Sequence, residues 1–373
     1  MGEKLFYLQF AGQGMKYIDE LRKLHNGYRS LRPFIHEAVA ALRSQLLECD
    51  DGREGYFSKG LDVDRWIEEP ETTPDFAYLL SSPVSHCLIY LTQISHYLAL
   101  LEEGIEHREL QKLVHSVSGF STGIMASVLT ALDLSKNDLW KRAIDMQKMF
   151  FWQGLRCQES MDKLAVRLEL DEELHNTAEG SPSCMASVAK IPCSKLEAAL
   201  SDFEEKSSVY LAYKLTPLRS IVSGRPEALR GFRDLLLSRE PKAQWRYVPS
   251  TIAAHSPFLA HAFETTPEDA RRVGLSLSGE EMVRPVLASN GKGDLRESED
   301  IVSDIMHAYF LETGHWRAQI EPLFKEEGIT EVLDFGPGSG VAGLSEMMLA
   351  RKGTKVRRCS IAFERKMLVQ ELS

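Results

Sequence analysis

Cysteine is scarce in this chain of 373 residues, and the six cysteines lie far apart, with no C-x-x-C pair among them. Zinc and dithiol redox sites usually draw on closely spaced cysteines, so the sequence predicts no metal site of that kind and no disulfide scaffold. The N-terminal residues MGEKLFYLQF lack the pattern of a signal peptide. Reduced thiols without a signal peptide favour a cytoplasmic protein.

Long apolar runs and an excess of basic residues are also missing. Polar residues interrupt the most apolar stretch, Cys87 to Leu101, so we predict no membrane-spanning segment. Acidic residues outnumber basic ones by 54 to 44, and the formal net charge of -10 argues against nucleic-acid binding. The one local basic stretch, Arg351–Arg358, is either a solvated surface or a docking patch for an acidic partner.

Short apolar runs that end in glycine-rich turns predict buried strands. Such runs are Leu5–Phe10, Leu113–Val117 and Thr330–Phe335. Because a helix over 124–132 follows the second turn directly, the pattern is typical of a parallel α/β sheet. Further helices are predicted near 16–50, 83–103, 136–152 and 298–324, whereas Asp50–Asp75 and 267–297 are predicted to be loops.

The segment 184–250 has a different order of predicted elements. Strands are expected at Met185–Ile191, Val209–Leu215, Arg219–Ser223 and Gln244–Pro249, with helices at Ser194–Glu205, capped by Ser194, and Pro226–Ser238. The order β-α-β-β-α-β matches the ferredoxin-like motif. We therefore predict an α/β fold of two parts. A large α/β-hydrolase-like subdomain with a parallel sheet covers 1–180 and 265–373, and a ferredoxin-like small subdomain is inserted over 181–264.

The strongest chemical signal is the pentapeptide Gly119-Phe120-Ser121-Thr122-Gly123, a G-x-S-x-G sequence between a predicted strand and a predicted helix. A serine hydroxyl is a weak nucleophile and must be presented beside a base and oxyanion donors. The two glycines permit a strained turn, and the helix N-terminus offers N–H groups to developing negative charge. The pattern predicts a nucleophile elbow at Ser121, with a merely structural turn as the alternative.

A base and a second oxyanion donor are needed beside such a serine. His255 lies just beyond the last strand of the predicted insert, where a cleft between subdomains is expected. It is either the base or an ordinary loop histidine. The turn Gly12-Gln13-Gly14 could offer a backbone N–H, whereas Gly336–Gly340 lacks the lysine of a phosphate-binding loop and is interpreted as a structural turn.

Four motifs in this order resemble the malonyl/acyl-CoA:ACP transacylase family. They are F-A-G-Q-G at residues 10–14, G-F-S-T-G at 119–123, A-A-H-S-P-F at 253–258 and D-F-G-P-G at 334–338. The insert between the serine and the histidine is similar to the small subdomain of that family. Within the family, the chain looks most like the starter-unit acyltransferase domain of fungal non-reducing polyketide synthases.

The resemblance implies roles for individual residues. Ser121 would be the acylated nucleophile and His255 its general base and acid. The backbone N–H groups of Gln13 and Thr122 would form the oxyanion hole. A backbone carbonyl near Glu312–Gly314 would orient the histidine, so a Ser–His dyad is expected in place of a triad.

Two departures from the family pattern concern the substrate and the nucleophile. The resemblance places Phe120 and Gln153 in the substrate-binding region, and Gln153 stands where malonyl-specific members carry an arginine that pairs with the substrate's carboxylate. Glutamine cannot reproduce that bidentate pair, which favours an uncharged acyl chain. Starter-unit domains often use cysteine as the nucleophile, whereas this chain has Ser121.

The resemblance thus implies transfer of a short- or medium-chain acyl group from coenzyme A or a donor carrier protein to the phosphopantetheine thiol of an acyl carrier protein. We expect ping-pong kinetics, no bound cofactor or metal, and a place within a larger synthase. Three alternatives stay open: a malonyl transferase, a serine hydrolase, and a non-catalytic docking domain with a vestigial elbow.

Overall fold

Two five-stranded sheets organise the protein. The computed structural model describes residues 5–49, 53–166, 168, 170–204, 207–326 and 328–372. One sheet is parallel, with strand order β10-β9-β1-β2-β7, and the other has the order β6-β3-β5-β4-β8. The two-part α/β fold class is confirmed. The strands are β1 (Leu5–Phe10), β2 (Val114–Gly119), β3 (Met185–Ala189), β4 (Val209–Thr216), β5 (Arg219–Gly224), β6 (Gln244–Val248), β7 (Val286–Leu287), β8 (Gly314–His315), β9 (Ile329–Asp334) and β10 (Lys355–Arg358).

The helices of the described residues pack against the strands of both sheets. They are α1 (Ile18–Gly27), α2 (Arg32–Leu47), α3 (Val63–Glu68), α4 (Phe76–Leu80), α5 (Ser82–Glu102), α6 (His107–Lys112), α7 (Ile124–Ala131), α8 (Lys136–Lys163), α9 (Glu172–His175), α10 (Cys193–Asp202), α11 (Pro226–Arg239), α12 (Ala260–Glu264), α13 (Thr266–Val273), α14 (Ile301–Phe310), α15 (Trp316–Gln319), α16 (Pro322–Lys325), α17 (Gly340–Leu349) and α18 (Ala362–Leu372).

The parallel sheet brings its functional turns to one edge. Strand β1 is buried from Phe6 to Phe10, as expected where helices cover both faces. Its register pairs Phe10 with Gly119 and Gln9 with Asp334, so β1, β2 and β9 end side by side. Ligand sites of open α/β sheets lie beyond this carboxyl edge.

The second sheet contains the predicted β-α-β-β-α-β order and one additional strand. Strands β6, β3, β5 and β4 are antiparallel neighbours, and α10 and α11 enclose a small separate core with them. Strand β8 pairs in parallel with β4, at Tyr213 and Gly314. This fifth strand comes from residues outside the segment 181–264.

The largest helix contact joins α5 to α8. A Cβ on Gly154 would lie 2.5 Å from the carbonyl oxygen of Ser82, so only glycine allows the two backbones to approach this closely. Among the described helices, α5 alone is long and apolar enough, by length and composition, to cross a membrane. This differs from our prediction that the stretch Cys87 to Leu101 is too polar for a membrane-spanning segment. The most apolar window of α5 is 94% buried within the protein, as in a core helix.

Several predicted boundaries were wrong. The segment 50–75 contains α3 and the 3-10 turns Glu54–Phe57 and Pro70–Thr72, because apolar residues such as Trp66 anchor it to the core. The helix predicted over 298–324 is interrupted after Phe310 to form β8. Helix α10 begins after Pro192, so Ser194 is not its cap. The helix ends predicted at residues 50 and 205 lie outside the described residues.

The basic stretch Arg351–Arg358 is partly structural. Arg357 is buried, and its guanidinium binds the carboxylates of Glu331 at 2.9 Å and Glu371 at 2.7 Å. Arg358 pairs with Glu346 at 2.9 Å. Two of the cationic side chains in this stretch, Arg357 and Arg358, are therefore already paired with carboxylates of the protein itself.

Candidate active site

The turn after β2 presents Ser121 in a conformation that few side chains adopt. Its φ is +54°, in the left-handed region, between β2 and α7. A Cβ on Gly119 would lie 2.1 Å from the backbone of Gly123, and one on Gly123 would lie 2.5 Å from the carbonyl oxygen of Phe10. Both glycines are therefore required sterically, and the turn has the construction predicted for a nucleophile elbow.

The loop after β1 packs directly against this elbow. A Cβ on Gly12 would lie 2.7 Å from the carbonyl oxygen of Phe120, so the two loops meet through a glycine. The backbone N–H of Gln13 has no hydrogen-bond acceptor among the described residues. The N–H of Thr122 lies in the first turn of a helical segment, where N–H groups lack intrahelical acceptors. Both N–H groups remain available as oxyanion donors.

His255 reaches Ser121 from the loop after β6, across 134 residues of sequence. The Ser121 hydroxyl donates to His255 Nε2, at an Oγ–Nε2 distance of 3.0 Å. His255 Nδ1 donates to the backbone carbonyl of Glu312 at 2.9 Å, within the region predicted for this contact. His255 also has a positive φ of +58°, and the neighbouring Ser256 N–H is held by the Phe310 carbonyl at 2.8 Å.

Burial keeps the His255 imidazole neutral. Desolvation lowers its pKa to about 4, although hydrogen bonds to the backbone carbonyls of Glu312 and Ala308 act in the opposite direction. The Glu312 carboxylate itself is engaged elsewhere, by Asn290 and by Lys292 Nζ at 2.6 Å. The orienting group of His255 is therefore a carbonyl, and the geometry is that of a dyad.

Aromatic rings enclose the pair, and sequence reasoning missed most of them. The His255 ring lies edge-on to Tyr213 and Tyr309, with centroids 5.1 and 5.5 Å away. Phe120, predicted to bind substrate, packs on Tyr213 at 4.5 Å and on Trp316 at 5.5 Å. The only sequence signal was the presence of aromatic residues on an otherwise ordinary strand and helix.

His86 is a second buried histidine that the sequence did not single out. Its Nε2 lies 2.9 Å from the Tyr309 hydroxyl and 3.3 Å from Gln13 Oε1. Desolvation lowers its pKa to about 3, so the ring is neutral and its Nε2 can accept from the tyrosine. His86 thus packs between the loop that carries Gln13 and the Tyr309 ring that contacts His255.

Gln153 is buried on α8, on the side that faces α14. Its amide N–H contacts the sulfur of Met306, which lies one helical turn before Tyr309, and its Oε1 has no partner among the described residues. Arg156, one turn further along α8, forms a bidentate pair with Asp269 at 2.9 and 3.0 Å. Because Arg156 is already paired with Asp269, it cannot replace the carboxylate-binding arginine that the family resemblance expects at position 153 in malonyl-specific members.

The site thus combines an elbow serine hydrogen-bonded to a buried histidine, at the carboxyl edge of a parallel sheet, with an inserted ferredoxin-like sheet. Residues 8–257 match the family model described as "Starter unit:ACP transacylase in aflatoxin biosynthesis". The chain belongs to this family.

Curated relatives share part of their sequence with this chain, and solved structures share its fold. The chain is 28% identical over 383 residues to the fatty acid synthase beta subunit TOXC of Cochliobolus carbonum, covering 94% of this chain and 18% of that protein. It is 28% identical over 381 residues to the fatty acid synthase subunit beta of Saccharomyces cerevisiae, with coverages of 93% and 18%. The chain thus spans less than a fifth of these relatives. The acyl-carrier-protein-S-malonyltransferase of Bartonella henselae shares the fold, with a TM-score of 0.71, 17% identity and 99% coverage of both chains.

Proposed function

We propose that the protein is a starter-unit acyltransferase. It moves a non-carboxylated short- or medium-chain acyl group from coenzyme A, or from a donor carrier protein, to the phosphopantetheine thiol of an acyl carrier protein. The family description supports the carrier protein as acceptor. The relatives, of whose length this chain covers 18%, support a place in a larger synthase. The observation that carries the proposal is the hydrogen bond between Ser121 and His255 at 3.0 Å.

The first half-reaction would load the serine. As Ser121 Oγ attacks the thioester carbonyl, its proton moves to His255 Nε2. The Gln13 and Thr122 N–H groups stabilise the oxyanion, as donors aimed at developing charge do in acyl transfer. The carbon–sulfur bond then breaks, and the imidazolium returns the proton to the departing thiolate. The product is an acyl-serine ester and a free thiol.

The second half-reaction would run the same steps in reverse with a new thiol. His255 Nε2 takes the proton of the phosphopantetheine thiol, whose sulfur attacks the ester carbonyl. Collapse of the tetrahedral intermediate breaks the bond to Ser121 Oγ, which regains its proton from the histidine. The aromatic rings of Tyr213, Tyr309 and Phe120 around the pair would limit water access to the ester. No bound cofactor or metal has a role in this scheme.

Gln153 supports an uncharged acyl chain. A substrate carboxylate buried beside this amide would lack a cationic partner, and an unpaired buried charge is strongly unfavourable. Arg156 cannot supply that charge without releasing Asp269, which is 1% exposed. A malonyl substrate remains the second candidate, because the solved structures that share the fold include malonyl transferases.

Intact-protein mass spectrometry after mixing with acetyl- to octanoyl-CoA and with malonyl-CoA tests the proposal. We expect a mass shift with one or two alkanoyl donors that is absent in Ser121→Ala. His255→Ala should slow both half-reactions. A shift with malonyl-CoA alone would establish the second candidate. Covalent loading of Ser121→Ala, or carrier-protein binding without any adduct from CoA or carrier-protein thioesters, would refute acyl transfer through Ser121.

A further inference from the structure

Three ligand-type side chains converge on a surface remote from the elbow. His25 from α1, His36 from α2 and Glu68 from α3 each place one potential ligand atom within 4.8 Å of the other two. The two imidazole rings are perpendicular, with centroids 5.3 Å apart. Since the three residues come from different helices, no contiguous metal-binding motif marked them in the sequence.

Hydrogen bonds fix which nitrogen of each ring carries a lone pair. His25 Nδ1 lies 3.3 Å from Asn26 Oδ1, and His36 Nδ1 lies 2.8 Å from Asp64 Oδ1. Because each Nδ1 faces an oxygen acceptor, it bears the hydrogen, and Nε2 is left as the basic nitrogen. Metal-binding histidines usually show this arrangement, in which an oxygen behind the ring orients it and raises its basicity.

Burial makes the free nitrogen of His25 unusual. The residue is only 6% exposed, and its Nε2 has no hydrogen-bond partner among the described residues. Buried polar atoms are nearly always paired, so an unpaired one calls for an explanation such as an unseen ion. This observation is independent of the clustering itself, and it concerns the one member of the cluster that is buried.

The surrounding contacts hold the three helices in place and do not engage the Glu68 carboxylate. Arg22 on α1 donates to the Trp66 carbonyl on α3 at 2.9 Å. Arg43 on α2 binds both Asp62 and Asp64, at 2.6 and 3.0 Å, and Arg32 donates to the backbone carbonyl of His25 at 3.0 Å. Among the described residues, no basic side chain pairs with Glu68, so its carboxylate can bind a metal cation.

We propose that His25, His36 and Glu68 bind a divalent transition-metal ion, with zinc as the physiological candidate. Two imidazole nitrogens and one carboxylate oxygen suit zinc, with water as a fourth ligand, whereas calcium and magnesium prefer oxygen alone. Ligand bonds of about 2.0–2.2 Å require the cluster to contract. The half-exposed His36 and the exposed Glu68 can move towards the buried His25. A bound ion would link α1, α2 and α3.

Isothermal titration of the tag-free, chelator-treated chain with zinc chloride tests the site. We expect one ion per chain and a rise in melting temperature on binding. Glu68→Gln and His36→Gln should each weaken binding at least about tenfold, and Asp64→Ala, which removes the oxygen behind His36, about tenfold. His175→Gln, which changes a surface histidine outside the cluster, should bind as the wild type does. Titration with magnesium chloride should give no binding.

The result that overturns the proposal is zinc binding that is absent, or that is unchanged in both Glu68→Gln and His36→Gln. Glu68 lies on the surface, so its variant keeps the test valid even if His36→Gln fails to fold. Acyl loading should be the same in both variants and in the wild type, because neither residue belongs to the acyl-transfer site. A metal that served the reaction would instead change loading.

Discussion

The pH dependence of acyl loading reports directly on the burial of His255. A general base works only when it is neutral. With a pKa of about 4, the imidazole is about 97% neutral at pH 5.5, whereas an ordinary histidine with a pKa near 6.5 is only about 9% neutral. The second-order rate of Ser121 acylation should therefore fall by only a few per cent between pH 7 and 5.5. An exposed base would lose about eightfold over the same interval.

The assay is single-turnover loading with a reactive alkanoyl-CoA, quenched in acid and read by intact mass from pH 4 to 8. Circular dichroism at each pH separates protonation of the base from unfolding, and Ser121→Ala supplies the background. If no thioester loads, the rate of labelling by a fluorophosphonate probe reports the same base. A midpoint near 6.5 in a protein that is still folded would refute the argument, because the ring would then be hydrated and not enclosed by Tyr213 and Tyr309.

Three further outcomes are expected. Gly123→Ala should abolish loading, because its Cβ would lie 2.5 Å from the Phe10 carbonyl, and mass spectrometry on protein that still gives the wild-type circular dichroism checks this. Asp269→Asn should lower the free energy of unfolding in urea by about 3 kcal/mol, since it leaves the buried Arg156 with a weaker set of partners; a change below about 1 kcal/mol would contradict the ion-pair argument. Gln153→Arg should raise malonyl loading relative to alkanoyl loading at least about tenfold, measured by competition between the two CoA esters, and an unchanged ratio would exclude this position from acyl selection.

Local rules predicted the elbow because its causes are local. A strand, two glycines around Ser121 and a helix follow one another within about twenty residues, and each has its own sequence signature. The ferredoxin-like segment was readable for the same reason, since its strands alternate with short helices. The predictions of acyl chain type, carrier protein and cofactor came from the family resemblance and remain proposals.

Long-range contacts were beyond sequence reasoning. Tyr309 meets His86 across 223 residues and His255 through a ring contact, yet on α14 it looks like one more core aromatic residue. The helix predicted over 298–324 failed for a related reason. Gly314 has no Cβ, which would lie 2.1 Å from the Tyr213 ring, so the chain can approach β4 and pair with it there, and this pairing replaces the predicted helix after Phe310.

The parallel pairing of β8 with β4 limits how such domains can be exchanged between synthases. The Glu312 carbonyl that orients His255 lies two residues before β8, so the small sheet holds the segment that aims the base. A chimera joined at the two ends of the ferredoxin-like insert would combine β4 from one parent with β8 from the other, and a mismatch at Tyr213 and Gly314 would rotate the imidazole. Junctions placed before β3 and after α15 keep both strands and the histidine from one parent.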